Sequence, residues 1–130
     1  MTGRLLPWLP AAAWAAAIFW LSSRPTLPGP EVPYFDKVAH FGAYALLGAL
    51  LAFAAERSRL PVAAAVALGV LYGASDEIHQ MYVPGRSPDV LDWFADAAGV
   101  AVACFLYTRW RSRRAAAHPA AGGDASYLRA

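Results

Sequence analysis

The 130-residue chain is rich in apolar residues: 58% of its residues are hydrophobic, 15% are charged, and its formal net charge is +2. Because a soluble domain carries about 25% charged residues, this composition argues against an ordinary soluble protein and favours a membrane protein of one domain. The single cysteine, Cys104, excludes an internal disulfide, and the sequence contains no glycine-rich nucleotide-binding loop.

The first apolar run covers residues 5–22 and follows a single basic residue, Arg4. A positive start before an apolar stretch is also typical of a signal peptide. The run is nevertheless long, contains three tryptophans, and lacks a clear small-x-small cleavage site before Arg24. We therefore expect a retained membrane helix, followed by a loop over 23–36, where four prolines and a glycine accumulate.

Three further apolar runs cover about 38–55, 60–75 and 90–107. Nearly every position within them is apolar, so they lack the 3.6-residue alternation that marks an amphipathic helix of a soluble protein. We predict an all-α, polytopic membrane protein in which residues 1–109 form a bundle of four transmembrane helices. The basic, then Ala/Gly-rich tail, 110–130, is expected to be disordered.

The basic residues predict the orientation of this bundle in the cell membrane. Three of them, Arg24, Lys37 and Arg86, lie on one side of the four-span arrangement. The other eight lie on the opposite side: Arg4, Arg57, Arg59, Arg109, Arg111, Arg113, Arg114 and Arg129. Since loops rich in Lys and Arg stay in the cytoplasm, we predict that both termini are cytoplasmic and that the loops 23–36 and 76–89 face outward.

Polar residues concentrate near the predicted outer side, where residues 72–99 hold five of the nine carboxylates. Counted from the nearest inner-side arginine, His40, Asp76 and Asp92 each lie 17 residues into their runs, which is about 26 Å of helix. In a hydrocarbon core of ~30 Å, all three reach one level just below the outer interface. Small residues such as Gly69 and Gly99 continue the same helix faces, which favours close packing with the polar groups turned inward. The sequence therefore predicts a shared polar pocket that opens outward.

Carboxylates within a membrane helix are functional hypotheses by default, and three functions compete. In the first, the pocket is catalytic on an amphiphile with an anionic headgroup, with Glu77 or His40 as general base and Asp92 orienting the substrate or binding a cation. In the second, the pocket binds the headgroup of an anionic lipid or lipid-linked cell-wall precursor without chemistry. The ligand-binding residues predicted for this headgroup are Asp36, Lys37, Asp76, Gln80, Arg86 and Asp96. In the third, the bundle is structural or proton-conducting, and its acidic cluster is an interhelical staple. Whether the protein is an enzyme stays open.

Several of these residues also have a purely structural interpretation. Asp36 and Lys37 would serve as a helix-terminal charge and an interfacial anchor, and Asp89 as a helix cap. His40 would be a hydrogen-bonded core histidine, and Arg86 would balance the acidic block instead of clamping a phosphate.

We predict no metal site and no cofactor, since the spacing of the acidic and histidine residues matches no dedicated metal motif. If an ion binds, the carboxylate oxygens of residues 72–99 would suit a divalent cation such as Mg²⁺ or Ca²⁺. The expected partners are the lipid bilayer and the anionic lipid or precursor. No nucleic-acid partner is expected.

Two stretches, DKVAHFGAYALLG (36–48) and YGASDEIHQMYVPGRSPDVLDWFADAAG (72–99), resemble the VanZ-like membrane proteins. The shared motifs are DKxxHF, DExxQ, and GR followed by DxxAxxxG, and the resemblance covers roughly residues 34–107. Many members have Asn where this chain has Asp96. The family takes its name from a protein associated with resistance to the glycopeptide teicoplanin, which implies a role in the cell envelope but no particular reaction.

Overall fold

The computed structural model describes residues 5–25 and 33–117, and all regular secondary structure within these ranges is helical. A 3₁₀ turn, Leu6–Trp8, leads into the first α-helix. The helices are α1 (Leu9–Ser22), α2 (Phe35–Arg57), α3 (Val62–Gln80) and α4 (Val90–Ala117). The predicted all-α class, with four helices, is therefore confirmed.

Local sequence explains the connections between the last three helices. Arg59 adopts a left-handed backbone with φ of 59°. Pro61 precedes α3, which begins at Val62, and its missing N–H is no loss because no intrahelical hydrogen bond needs it. Gly85 provides the positive φ of 81° in the turn after α3. Asp89 caps α4, because its Oδ1 accepts a hydrogen bond from the backbone N–H of Leu91 at 2.9 Å. The structural interpretation of Asp89 as a helix cap is thus confirmed.

Length and composition separate the four helices into two groups. Among the described helices, α2 and α4 are long and apolar enough to cross a membrane, whereas the helical segment Leu6–Ser22 is shorter. Helix α3 has 19 residues, but its last turns carry Asp76, Glu77, His79 and Gln80, which lower its mean hydropathy. Two of the four predicted spans therefore meet the requirement for a membrane-crossing helix.

The most extensive helix interface joins α2 to α4. At this interface a Cβ atom on Gly48 would lie 2.8 Å from Cα of Val100, and one on Gly99 would collide with the carbonyl oxygen of Phe41. These contacts require glycine, because any side chain would force the two backbones apart. The largest buried apolar side chains around the contact are Tyr44, Leu47, Leu51 and Val100.

Helix α4 is longer than the sequence predicts. The expected span ended near residue 107 and the tail was expected to be disordered from residue 110, but the helix continues to Ala117. That expectation is wrong for residues 110–117. The Arg and Ala residues here are strong helix formers, and Tyr107 and Arg111 both contact Glu56 of α2. The rest of the tail, 118–130, lies outside the described residues.

The helices alternate in direction, so the bundle has two chemically different ends. At one end, the indole Nε1 of Trp8 donates to Oγ of Ser58 at 2.8 Å, close to the start of α3 and the arginine-rich end of α4. At the other end, Ser23 Oγ lies 2.9 Å from Nε2 of His79. This second end also holds the start of α2 and the start of α4, and it carries the predicted candidate residues.

Candidate functional site

The structure brings the predicted candidate residues together at one end of the bundle. We call this group, with the helix cap Asp89, the polar cluster. Its members are Asp36, Lys37, His40, Asp76, Glu77, Gln80, Arg86, Asp89, Asp92 and Asp96. Asp76, Glu77, Gln80, Asp92 and Asp96 are buried although they are polar or charged. The cluster is built from α2, α3 and α4, and from the loop between α3 and α4.

Lys37, in the first turn of α2, is the cation at the centre of one half of the cluster. Its Nζ lies 2.9 Å from Oδ2 of Asp36, 2.6 Å from Oδ2 of Asp89 and 2.7 Å from Oδ1 of Asp92. The contact with Asp92 is an ion pair without hydrogen-bond geometry, whereas the other two are also hydrogen bonds. The ammonium group of Lys37 holds the pKa of Asp89 below its usual value. Lys37 therefore ties the start of α2 to the start of α4.

His40 lies one turn further into α2 and contacts the next acidic residue of α4. Its Nδ1 lies 2.9 Å from Oδ1 of Asp96, and its Nε2 lies 3.9 Å from Oδ2 of Asp92. Asp96 is completely buried. It fits there because Gly73 of α3 faces it: a Cβ atom on Gly73 would lie 3.2 Å from both Cβ and Oδ2 of Asp96. Because Gly73 has no side chain, α3 leaves room for the Asp96 carboxylate between the three helices.

Glu77 connects α3 to the same group. Its Oε2 accepts a hydrogen bond of 2.9 Å from the backbone N–H of Asp89. Its other oxygen, Oε1, is buried and has no hydrogen-bond partner among the described residues. One carboxylate oxygen of Glu77 is therefore structural, and the other is free to bind something else.

A cavity of about 110 Å³ lies beside the cluster, between α1, α2 and α3. Its polar wall is formed by Ser22, His40, Tyr44, Asp76, Gln80 and Arg86, and its apolar wall by Ile18, Leu21, Ala39 and Ala43. Four buried polar atoms on this wall lack a hydrogen-bond partner in the described part of the chain: the Tyr44 hydroxyl, Asp76 Oδ1, Gln80 Nε2 and Arg86 Nε. Buried polar groups are almost always hydrogen-bonded, so these four atoms are unsatisfied polar groups beside a cavity whose surface is mainly apolar.

The cavity differs from the predicted shared pocket in its membership. His40 and Asp76 line it, but Glu77 and Asp92 do not. Asp92 instead turns toward Lys37, because the start of α4 packs against the start of α2. The three residues expected at one level are therefore divided between two neighbouring groups that share His40.

Two polar residues of the cavity wall were not expected from the sequence. Tyr44 follows His40 by four positions, so the 3.6-residue helix period places both on one face, and this spacing was the available indication. Ser22 lies at the end of the first apolar run, where the sequence predicts no site.

His79 lies outside the polar cluster. Its ring stacks on that of Phe19, with ring centroids 4.4 Å apart, and it contacts Ser23, so it joins α3 to α1.

Comparison with known proteins gives one match. A family model described as VanZ/LLP1 matches residues 5–111, a range that includes α1, α2, α3, most of α4 and the whole polar cluster. Neither the curated proteins nor the solved structures contain a significant match to the chain.

Proposed function

The chain belongs to the VanZ/LLP1 family, and from this premise we propose that it is an integral membrane protein of the cell envelope. In this proposal, the cavity and the polar cluster bind the headgroup of an anionic envelope lipid or a lipid-linked cell-wall precursor. Family membership and the two apolar helices long enough to cross a membrane support the membrane location.

The proposed topology has four membrane-crossing helices and cytoplasmic termini in the cell membrane. Helices α1 and α3 cross beside α2 and α4, and the 19 residues of α3 extend about 28 Å. The asymmetry of basic residues supports this orientation. Arg57, Arg59, Arg109, Arg111, Arg113 and Arg114 lie at one end, and Arg24, Lys37 and Arg86 at the other. The arginine-rich end stays in the cytoplasm, so the polar cluster faces outward.

The observation that carries the headgroup proposal is the environment of Arg86. Its side chain lines the cavity, and its buried Nε has no hydrogen-bond partner in the described ranges. Gln80 adds a second buried donor without a partner, Nε2, on the same wall. Phosphate and carboxylate oxygens suit such donors, since charge-assisted bonds to a guanidinium group are among the strongest in proteins. The apolar residues opposite suit the hydrocarbon part of an amphiphile.

A reaction on the bound headgroup is a further part of this proposal. His40 lines the cavity, so in this proposal it acts as the general base there. Glu77 has one free carboxylate oxygen but does not line the cavity. Asp96, 2.9 Å from Nδ1, orients the imidazole ring, and Asp92, 3.9 Å from Nε2, adds a negative charge beside it.

One observation favours a second candidate, in which the acidic cluster is an interhelical staple of a structural or proton-conducting bundle. Lys37 and His40 of α2 already pair with Asp92 and Asp96 of α4 and with Asp89, the residue that caps α4. In this alternative the carboxylates hold two helices together and need no ligand.

Lipid retention separates the two candidates. The full chain is purified in mild detergent, and the anionic lipids that remain bound are identified by native mass spectrometry. We expect Arg86→Lys to fold normally but to lose most of the bound lipid, because an ammonium group cannot reproduce the guanidinium fork. Arg24→Lys is the matched control, since Arg24 stacks on Trp20 at the same end of the bundle and does not line the cavity. Full lipid retention in Arg86→Lys would contradict headgroup binding and favour the staple.

A further inference from the structure

We propose that His40, Glu77 and Asp96 form a binding site for one divalent transition-metal ion of the Zn²⁺ or Mn²⁺ class. The inference deepens the proposed function and rests on it for the role of the ion, which is to bridge the anionic headgroup to an acidic site. The metal site itself follows from the geometry of these three side chains.

The three ligands come from three different helices. Each offers one ligand atom, and these atoms lie within 4.8 Å of one another. Neighbouring ligands around a tetrahedral zinc ion are about 3.4 Å apart, given metal–ligand distances of about 2.0–2.2 Å. Binding would therefore require the ligand atoms to approach one another by up to about 1.4 Å. Because α2, α3 and α4 contribute one ligand each, no local spacing in the sequence could predict the site.

Buried oxygen atoms without partners point to a ligand at this position. Asp96 is completely buried and Glu77 is 9% exposed, yet Asp96 Oδ2 and Glu77 Oε1 have no hydrogen-bond partner among the described residues. Each residue uses its other oxygen, since Asp96 Oδ1 contacts His40 Nδ1 and Glu77 Oε2 accepts from the Asp89 backbone. A carboxylate oriented by one oxygen, with the other desolvated and free, is the arrangement that metal ligation requires.

The histidine is also oriented for metal binding. Its Nδ1 is held by Asp96 at 2.9 Å, and its Nε2 makes no hydrogen bond within the described part of the chain, the distance to Asp92 Oδ2 being 3.9 Å. A metal-ligating histidine typically donates its second ring N–H to a carboxylate, and the carboxylate beside Nε2 is that of Asp92. An ion bound at Nδ1 would be within reach of Asp96 as well, because the carboxylate already lies beside this nitrogen.

The charge of the cluster favours a cation. Six carboxylates stand against three side chains that can carry positive charge, Lys37, Arg86 and His40. Lys37 is already shared among three of those carboxylates, and it does not contact Glu77 or Asp96. Unpaired buried carboxylates are unfavourable, so a divalent ion at the triad of His40, Glu77 and Asp96 would stabilise the ionised forms of Glu77 and Asp96.

The mixture of donors indicates the class of metal. Imidazole suits Zn²⁺ and related ions, whereas carboxylates suit harder ions such as Mn²⁺. One histidine and two carboxylates form a three-ligand set of the kind that leaves further coordination positions open. His40 belongs to both the triad and the wall of the cavity, so an ion bound here would lie next to the proposed headgroup.

Metal binding can be measured without lipid. The full chain, purified in detergent and stripped with a chelator, is titrated with Mn²⁺ while the electron paramagnetic resonance signal of the free ion is followed. We expect a single tight site, displaced by Zn²⁺, with ¹⁴N modulation from a directly bound imidazole in pulsed spectra. Glu77→Gln and Asp96→Asn should each weaken binding by more than about 100-fold, since losing an outer-shell partner alone costs roughly 10- to 100-fold. His40→Gln should abolish the ¹⁴N modulation.

Glu56→Gln is the matched control, because it removes a carboxylate at the opposite end of the bundle, where Glu56 contacts Tyr107 and Arg111. It should keep the ¹⁴N modulation and bind Mn²⁺ with an affinity close to that of the unmodified chain. Weak binding that is equal in all variants, or ¹⁴N modulation that persists in His40→Gln, would overturn the proposal. If Asp96→Asn does not fold, Glu77→Gln and His40→Gln still decide it. If the chain binds Mn²⁺ at the triad but retains no anionic lipid, only the proposed function is contradicted. If it retains anionic lipid but does not bind Mn²⁺ at the triad, only the metal site is contradicted.

Discussion

At the scale of single residues, Lys37 controls the balance of charge at the junction of α2 and α4. Its ammonium group is shared by three carboxylates, and its side chain is only 20% exposed. The side chain of Asp92 is 11% exposed, so it depends on Lys37 for compensation. Removing one partner of a buried ion pair destabilises a protein by more than the intact pair stabilises it, because the other charge is left buried without compensation.

Replacing Lys37 should therefore destabilise the bundle. We expect Lys37→Ala to lower the free energy of unfolding in detergent by about 3 kcal/mol, measured by denaturant titration, because Asp92 is left buried without a cation. Lys37→Arg keeps the charge and should recover most of the loss. If Lys37→Ala were as stable as the unmodified chain, the carboxylates would have to be compensated by another group.

The positions of the candidate residues along the chain were predictable, but their partners were not. Counting from the inner-side arginines placed His40, Asp76 and Asp92 at one end of the bundle, because helical rise is constant. Rotation about each helix axis is set by packing, and this rotation decides that Asp92 faces Lys37 while Asp76 faces the cavity. A one-dimensional pattern with nearly all positions apolar contains little information about that rotation.

At the scale of helices, the contact between α2 and α4 depends on glycine. Gly48 and Gly99 let the two backbones touch, and this close approach brings Lys37 and His40 within reach of Asp92 and Asp96. The polar cluster is thus positioned by small residues that lie one or more turns below it. The sequence indicated this, since glycine and alanine continue the polar faces of the predicted helices.

Gly99→Ala tests that dependence. We expect it to lower the melting temperature in detergent, because the added methyl group would collide with the carbonyl oxygen of Phe41 and approach the Ala45 nitrogen to 2.9 Å. The matched control is Gly42→Ala, where nothing lies within 4 Å of the added atom. Alanine is the better helix former by about 0.5–1 kcal/mol, so the control should be neutral or stabilising. Equal melting temperatures for the two variants would show that the α2–α4 contact tolerates separation.

The extension of α4 could not be predicted from hydropathy. An apolar-run criterion ends the helix at Arg109, where the first basic residue appears, but a helix ends only where its backbone loses hydrogen bonds or packing. Residues beyond Arg109 remain helical beside Glu56, which Tyr107 and Arg111 both contact. Arg114 stacks over the Trp110 ring, with its guanidinium carbon 5.0 Å from the ring centroid. Tertiary contact and side-chain stacking extend the helix into the region assigned to the tail.

At the scale of the whole molecule, the proposed function depends on which side of the membrane the polar cluster faces. The orientation depends on whether α3 crosses the membrane. Its polar last turns lower its hydropathy below that of α2 and α4, which are apolar enough to cross. If α3 crosses the membrane, the loop before it and the loop after it lie on opposite sides. The first of these loops holds Arg59 and follows Arg57, the last residue of α2, and the second holds Arg86 and leads into α4.

Single cysteines introduced at serines on either side of α3 test the crossing, in a Cys104→Ser background that removes the native thiol. We expect a membrane-impermeant thiol reagent to label Ser87→Cys in intact cells, and to label Ser58→Cys only after the membrane is opened, since arginine-rich loops remain cytoplasmic. Ser58 is half-buried against Trp8, so Ser112→Cys, exposed on the extension of α4, serves as a second inner position. Labelling at 58 and 112 but not at 87 in intact cells would reverse the orientation. It would place the polar cluster in the cytoplasm, where an outer-leaflet lipid or an exported cell-wall precursor cannot reach it.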